Sequence, residues 1–173
     1  LGLMIEIPRQ GRVVEAAGHE LSEWVRSGMS GEMQRSAHMA LANALEGHGG
    51  AHPLSLVRHF SLGGARQKAG VMAWMAGREA LHGGRVSEAG RLLEQALQLG
   101  EWSAREERSV WIHLGQSRVM SGRCLDGAEA FKRVVELSHP ADQARAGLQV
   151  ARLQVTGGRV LEGEVAIEES LTR

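Results

Sequence analysis

Residues 108 to 140 read RSVWIHLGQSRVMSGRCLDGAEAFKRVVELSHP, and the spacing of their apolar residues decides the fold. Before the central Gly122 and Arg123 stand Trp111, Leu114, Gly115 and Val119; after them come Ala128, Phe131, Val134 and Val135. Both sets follow the three- and four-residue spacing of one face of an α-helix, not the alternation of a strand. The stretch therefore reads as helix, tight turn, helix. Glycine suits the turn because the residue just past a helix end commonly takes a left-handed conformation, which a β-carbon penalises. Pro140 is expected to stop the second helix and open the next loop.

The same pattern recurs along the chain. Gly-Arg followed by Val or Cys occurs four times: GRVVEA at Gly11, GRVSEA at Gly84, GRCLDG at Gly122 and GRVLEG at Gly158. The intervals are 73, 38 and 36 residues, so a degenerate member is expected near residue 48, where EGHGGAHP supplies turn residues. This spacing predicts one domain over residues 1–173, of about four and a half units with turns near 11, 48, 84, 122 and 158. Pro8 would interrupt a helix before Gly11, so the array is expected to begin with half a unit. SGMSGE, SLGGARQ, GEWSAREE and SHPADQ read as linkers between units. A helix pair this short cannot bury both of its apolar faces, so neighbours must stack around a continuous interior. Small residues such as Gly77, Ala89, Gly115 and Ala128 would let the helices approach closely.

Composition narrows the function. Twenty basic and twenty acidic residues cancel, leaving no global field to draw the chain onto nucleic acid or an anionic membrane. The longest apolar runs, such as VMAWMAG, are too short to span a bilayer, and LGLMIEIPRQ lacks the charged start and apolar core of a signal peptide. A soluble, cytoplasmic protein without membrane insertion is expected. The single cysteine, Cys124, has no internal disulfide partner and reads as a small turn residue.

Candidate chemistry is thin. His48, His52 and His59 are the one local histidine cluster, but no acid or thiol lies conveniently beside them to complete a metal site. HELSE, at 19–23, ends in Glu where a zinc-protease helix needs its second His. LGGARQK, at 62–68, sets glycines and two cations before a helix but lacks the Gly-Lys-Ser/Thr of a P-loop. No G-x-S-x-G occurs, and Asp126 and Asp142 are the only aspartates. No catalytic residue, metal or cofactor is expected.

The stretch from Trp111 to Pro140 resembles a tetratricopeptide repeat: Trp111, Leu114 and Gly115 match its W-x-x-L-G, Phe131 its later aromatic and Pro140 its closing proline. The unit before it keeps Gly77, Ala89, Leu93 and Ala96; the last keeps Gly158, Leu161, Val165 and Ile167. The family's tyrosine is replaced by Arg118, and the longer period is also similar to the helical arms of large bacterial regulators of the MalT type. The resemblance implies an all-α, right-handed superhelix, an α-solenoid of stacked antiparallel helix pairs. It also implies a concave groove on the first helices where protein partners bind. The groove-facing residues would be Arg35, His38, Met39, Trp74, Arg78, His113, Gln116, Met120, Arg145, Gln149 and Arg152. That set holds no acid and suits an acidic or C-terminal peptide. The lysine and asparagine clamp of the family's chaperone-binding members is not reproduced.

The same residues read alternatively as solvated helix positions, and Trp74 and Trp102 equally as core; Trp111 lies on the packing stripe. The expected function is a non-catalytic scaffold holding a peptide or partner protein on the groove. The alternative is a sensor or oligomerisation arm of a larger bacterial signalling or transcription-regulatory protein. A start at Leu1, a leading half unit and an end at Arg173 without a polar capping helix favour that alternative. Self-association by end-to-end stacking is a third reading.

Overall fold

The computed structural model describes residues 27–49 and 51–171. Within them run α1 (Gly31–His48), α2 (Pro53–Leu62), α3 (Arg66–His82), α4 (Val86–Leu99), α5 (Ala104–Met120), α6 (Cys124–Glu136), α7 (Pro140–Thr156) and α8 (Val160–Leu171), with no strand among the described residues. Each helix packs on the next, and α3 also touches α5, so the antiparallel pairs stack as layers of an α-solenoid. The turn expected at Gly11, the half unit around it and HELSE lie outside the described residues.

The recurring Gly-Arg is a turn device with three parts. Gly84, Gly122 and Gly158 take φ of 74°, 78° and 88°, a region open chiefly to glycine. Each glycine N–H donates to the carbonyl three residues back, and the following arginine N–H to the carbonyl five back (Ala80, Arg118, Gln154). These bonds close the helix end as a Schellman motif. The arginine side chain then meets the acid three residues on: Arg85 with Glu88 at 2.9 Å, Arg123 with Asp126 at 2.6 Å and Arg159 with Glu162 at 3.0 Å. These pairs are solvent-exposed and contribute about 0.5 kcal/mol at most. The left-handed backbone matters more: Gly122→Ala is expected to lower unfolding free energy by about 1 kcal/mol. Arg123→Ala should change it by less than about 0.5 kcal/mol, both read from urea midpoints.

Three local expectations need correction. Pro140 does not stop a helix: α6 has already ended at Glu136, and Pro140 is the first residue of α7, capped by His139. Proline fits there because the first helical N–H has no intrahelical partner to lose. GEWSAREE is a linker only to Ser103, because Ser103 and Glu106 form a reciprocal capping box that starts α5 at Ala104. SLGGARQ is no loose linker either. Gly64 has φ 84°, and Gly64 and Ala65 donate to Ser61 and Phe60, the same closure as the Gly-Arg turns.

Layers interlock through glycine. A β-carbon on Gly77 would stand 2.8 Å from Leu93 Cγ, and one on Gly115 would stand 2.7 Å from the Phe131 ring. Leu93 and Phe131 hold equivalent positions in successive units, so one knob-into-gap contact is used twice. Trp111 is half-buried and packs against the clusters on both sides of α5, its indole N–H donating to Glu107 at 3.1 Å. Arg118, at the resemblance's tyrosine position, donates to the Asp126 carbonyl and to Glu94, each at 3.1 Å. It thereby ties α5 to both α4 and α6.

Candidate functional site: a groove across the first helices

Helices α3, α5 and α7 are the first members of three successive pairs and follow one register. Six residues before each turn glycine stand Arg78, Gln116 and Arg152, all exposed; nine before the last two stand His113 and Gln149, both half-buried. Between these helices lies a cleft of about 600 Å³. Leu81 and His82 come to it from α3, His113, Gln116, Val119 and Met120 from α5, Phe131 from α6 and Gln149 from α7. A second cleft of about 350 Å³ shares Phe131 and Gln149 and adds Arg108 and Ile112 of α5, Val134 of α6, and Asp142, Arg145 and Ala146 of α7. Phe131 and Gln149 are thus walls of both.

Of the residues expected in a groove, His113, Gln116, Met120, Arg145 and Gln149 line these clefts. Trp74 and Arg78 stand beside them: the Arg78 guanidinium lies 5.6 Å from the Trp74 ring, and Trp74 meets His113 edge-on at 6.3 Å. Trp74 is half-buried, packs on the core and meets Trp102 edge-on at 5.8 Å, so it serves the interior as well as the rim. Arg35 is exposed and belongs to a separate recess of α1 with Glu32 and Asn43.

His38 turns to α2, whereas Met39 lines that same recess with Arg35. His38 Nδ1 is 3.0 Å from His59 Nδ1 of α2, and Met39 packs on the cluster containing Phe60. α1 closes on Gly49 immediately after its last residue, whereas the Gly-Arg turns place the glycine two residues past the helix. Asp142, an acid outside the expected set, stands in the second cleft with Arg108 and Arg145. Arg108, Ile112 and Gln116 share a row at four-residue steps, and Asp142, Arg145 and Gln149 at three and four. That periodicity would have found them.

The turn arginines are paired with acids, but Arg78, Arg145 and Arg152 form no ion pair among the described residues. Two histidines of the local cluster are engaged elsewhere: His52 caps α2 by accepting from the Leu54 N–H at 3.3 Å, and His59 meets His38. Among the described residues no group of three or more His, Cys, Asp or Glu could hold a metal ion. In LGGARQK, Arg66 donates to the Gln98 carbonyl and Lys68 pairs with Glu46.

His113 is the groove's titratable group. Its Nδ1–H donates to the Ser109 carbonyl at 2.6 Å. Burial holds its pKa below the usual 6.5 against the pull of the Ser109 bond, helped by the charges of Arg78 and His82. His59 is lowered too, by burial and then by His38 and Arg58. A lowered folded pKa means the unfolded chain takes up the proton first, so stability is lost as pH falls from about 6.5 toward the folded value. The urea midpoint should therefore drop between pH 7.5 and pH 5. His113→Asn should flatten that drop; an unchanged slope would remove His113 from the account.

The fold and groove define the class: an all-α protein of stacked antiparallel helix pairs, an α-solenoid, with open clefts along its first helices. No protein-family model matches the chain, and no curated protein matches it significantly. Among solved structures, one described as "MamA RS-1 ArsTM double mutant" is similar at 16% identity, over 88% of this chain and 82% of that chain, with a TM-score of 0.47. No helix among the described residues is long and apolar enough to cross a membrane.

Proposed function

We propose that this protein is a non-catalytic scaffold that holds an acidic segment of a partner protein in the groove across α3, α5 and α7. The observation that carries the reading is the set of unpaired guanidinium groups, Arg78, Arg145 and Arg152, on helices whose neighbouring turns pair every arginine. On a chain of zero formal net charge, Arg145 lines the second cleft and Arg78 stands against Trp74 beside the first, which sets positive charge along the groove. Guanidinium suits the purpose because its planar donors match a carboxylate. The Asp142 carboxylate would disfavour an acid directly opposite it and so help to set register.

The test is capture from lysate of the native host by wild type and by Arg78→Glu with Arg152→Glu. Both sites are exposed, so the variant should keep its helical circular dichroism. Retention of any specific partner should fall at least tenfold; equal retention would remove the groove from the function.

A second reading rests on α8, an oligomerisation arm of a larger signalling protein. Leu161 and Leu171 are 77% and 73% exposed, and Val160 and Val165 are exposed beside them. An apolar surface of that kind marks association more often than a free end. Concentration-dependent mass in light scattering, abolished by Leu161→Glu with Val165→Glu, would favour it over a monomeric scaffold.

A further inference from the structure

The larger cleft does more than carry charge. Its interior is apolar: Leu81, Val119 and Phe131 are buried or half-buried, and Met120 stands 58% exposed at its edge. Methionine is unbranched and polarizable, which suits it to close over side chains of varied shape. The space of about 600 Å³ holds a large side chain with room to spare. Gln116, on the central helix, lines this cleft, and Arg78 and Arg152 hold its register position one layer to either side. By that register Arg78 and Arg152, which line no part of the cleft themselves, flank the apolar seat.

We infer that the groove recognises a segment with one large apolar side chain, aromatic or aliphatic, set between two acidic residues: the apolar group enters the Leu81, Val119, Phe131 and Met120 seat, and the acids meet Arg78 and Arg152. This deepens the groove reading and rests on it. The spacing follows from geometry. Packed helices lie about 8 to 10 Å apart, and an extended chain advances about 3.3 Å per residue, so the acids fall about three residues before and after the anchor. A helical segment rises only about 1.5 Å per residue and would need them about six apart. The open channel, with Gln116 and Gln149 offering amide groups to a backbone, fits the extended form. Selectivity divides accordingly. The acids give orientation and approach, and burial of the anchor, about 25 cal/mol per Å² of apolar surface, gives the affinity.

The experiment uses fluorescein-labelled peptides, amidated at the C-terminus so that a terminal carboxylate plays no part. The probe carries phenylalanine with aspartate three residues to each side in a Gly-Ser background. Controls replace the phenylalanine by alanine, the aspartates by lysine, or move the aspartates to six residues. Anisotropy titration of wild type to millimolar concentration should give saturable binding. That binding should weaken at least tenfold in each control peptide and at least tenfold in Arg78→Glu, Arg152→Glu and Met120→Glu. No saturable binding of the probe would overturn the inference, as would equal binding of the alanine peptide or indifference to Met120→Glu. If the six-residue peptide binds better, the extended form is wrong. Partner capture that depends on Arg78 and Arg152 while the probe fails would leave the groove reading standing without its anchor. If neither depends on those arginines, both fall together.

Discussion

Leu93→Ala is expected to lower the unfolding free energy by about 4 kcal/mol, measured by urea denaturation followed by far-ultraviolet circular dichroism. Leu93 is fully buried in the cluster that joins α3, α4 and α5, with Ala73, Ala89, Val110 and Leu114. Truncation removes its transfer free energy and leaves a cavity. Those small side chains have little reach to fill it, because Ala73 and Ala89 are already at minimum size. The contact with Gly77 supplies a finer test. In wild type, Gly77→Ala drives a methyl against Leu93 Cγ, but in the Leu93→Ala background the same methyl enters empty space. Gly77→Ala should then be neutral or stabilising, with a coupling of about 1 to 3 kcal/mol. Additive effects would mean that the two positions do not share the contact.

Gly70→Val should be nearly as damaging, by about 3 kcal/mol, for the opposite reason. A β-carbon at residue 70 would lie 2.7 Å from both Cα and N of Gly100. Where Gly77 faces a side chain that can turn aside, Gly70 faces backbone, so the start of α3 must separate from the end of α4. The small helix-propensity gain from losing glycine, about 0.5 kcal/mol, does not offset that. The displacement should be visible locally. Trp102 donates its indole N–H to the Ala96 carbonyl at 3.1 Å and stands edge-on to Trp74, both within reach of the forced joint. Loss of near-ultraviolet tryptophan dichroism alongside the lowered midpoint would place the damage there. An unchanged tryptophan signal with normal stability would show that the joint tolerates a larger residue.

A good share of the fold was legible because its determinants are local. Periodicity marks both helices around Gly122, and the Gly-Arg repeat marks the successive layers. Even the turn chemistry was within reach, since Arg and an acid three residues later recur at each described Gly-Arg turn. The role of Arg118 was not. Its partner Glu94 lies on the preceding pair, and no periodicity in α5 indicates it. The groove was legible in α5 and α7, where the register runs unbroken from turn to residue. In α1 Arg35 and Met39 line a recess of their own, while His38 meets His59.

The amino-acid sequence alone determined that the chain is helical, that it repeats, and which faces of the later helices are apolar, because those properties follow from spacing within a few residues. Only the tertiary structure decided that Gln116 and Gln149 line one cleft, that Asp142 lines a second with Arg108 and Arg145, and that the turn arginines are paired while those on α3 and α7 are not. Those are distances between residues tens of positions apart, set by how each layer stacks on the last. Helix packing, not helix formation, therefore builds the surface on which this protein is proposed to act.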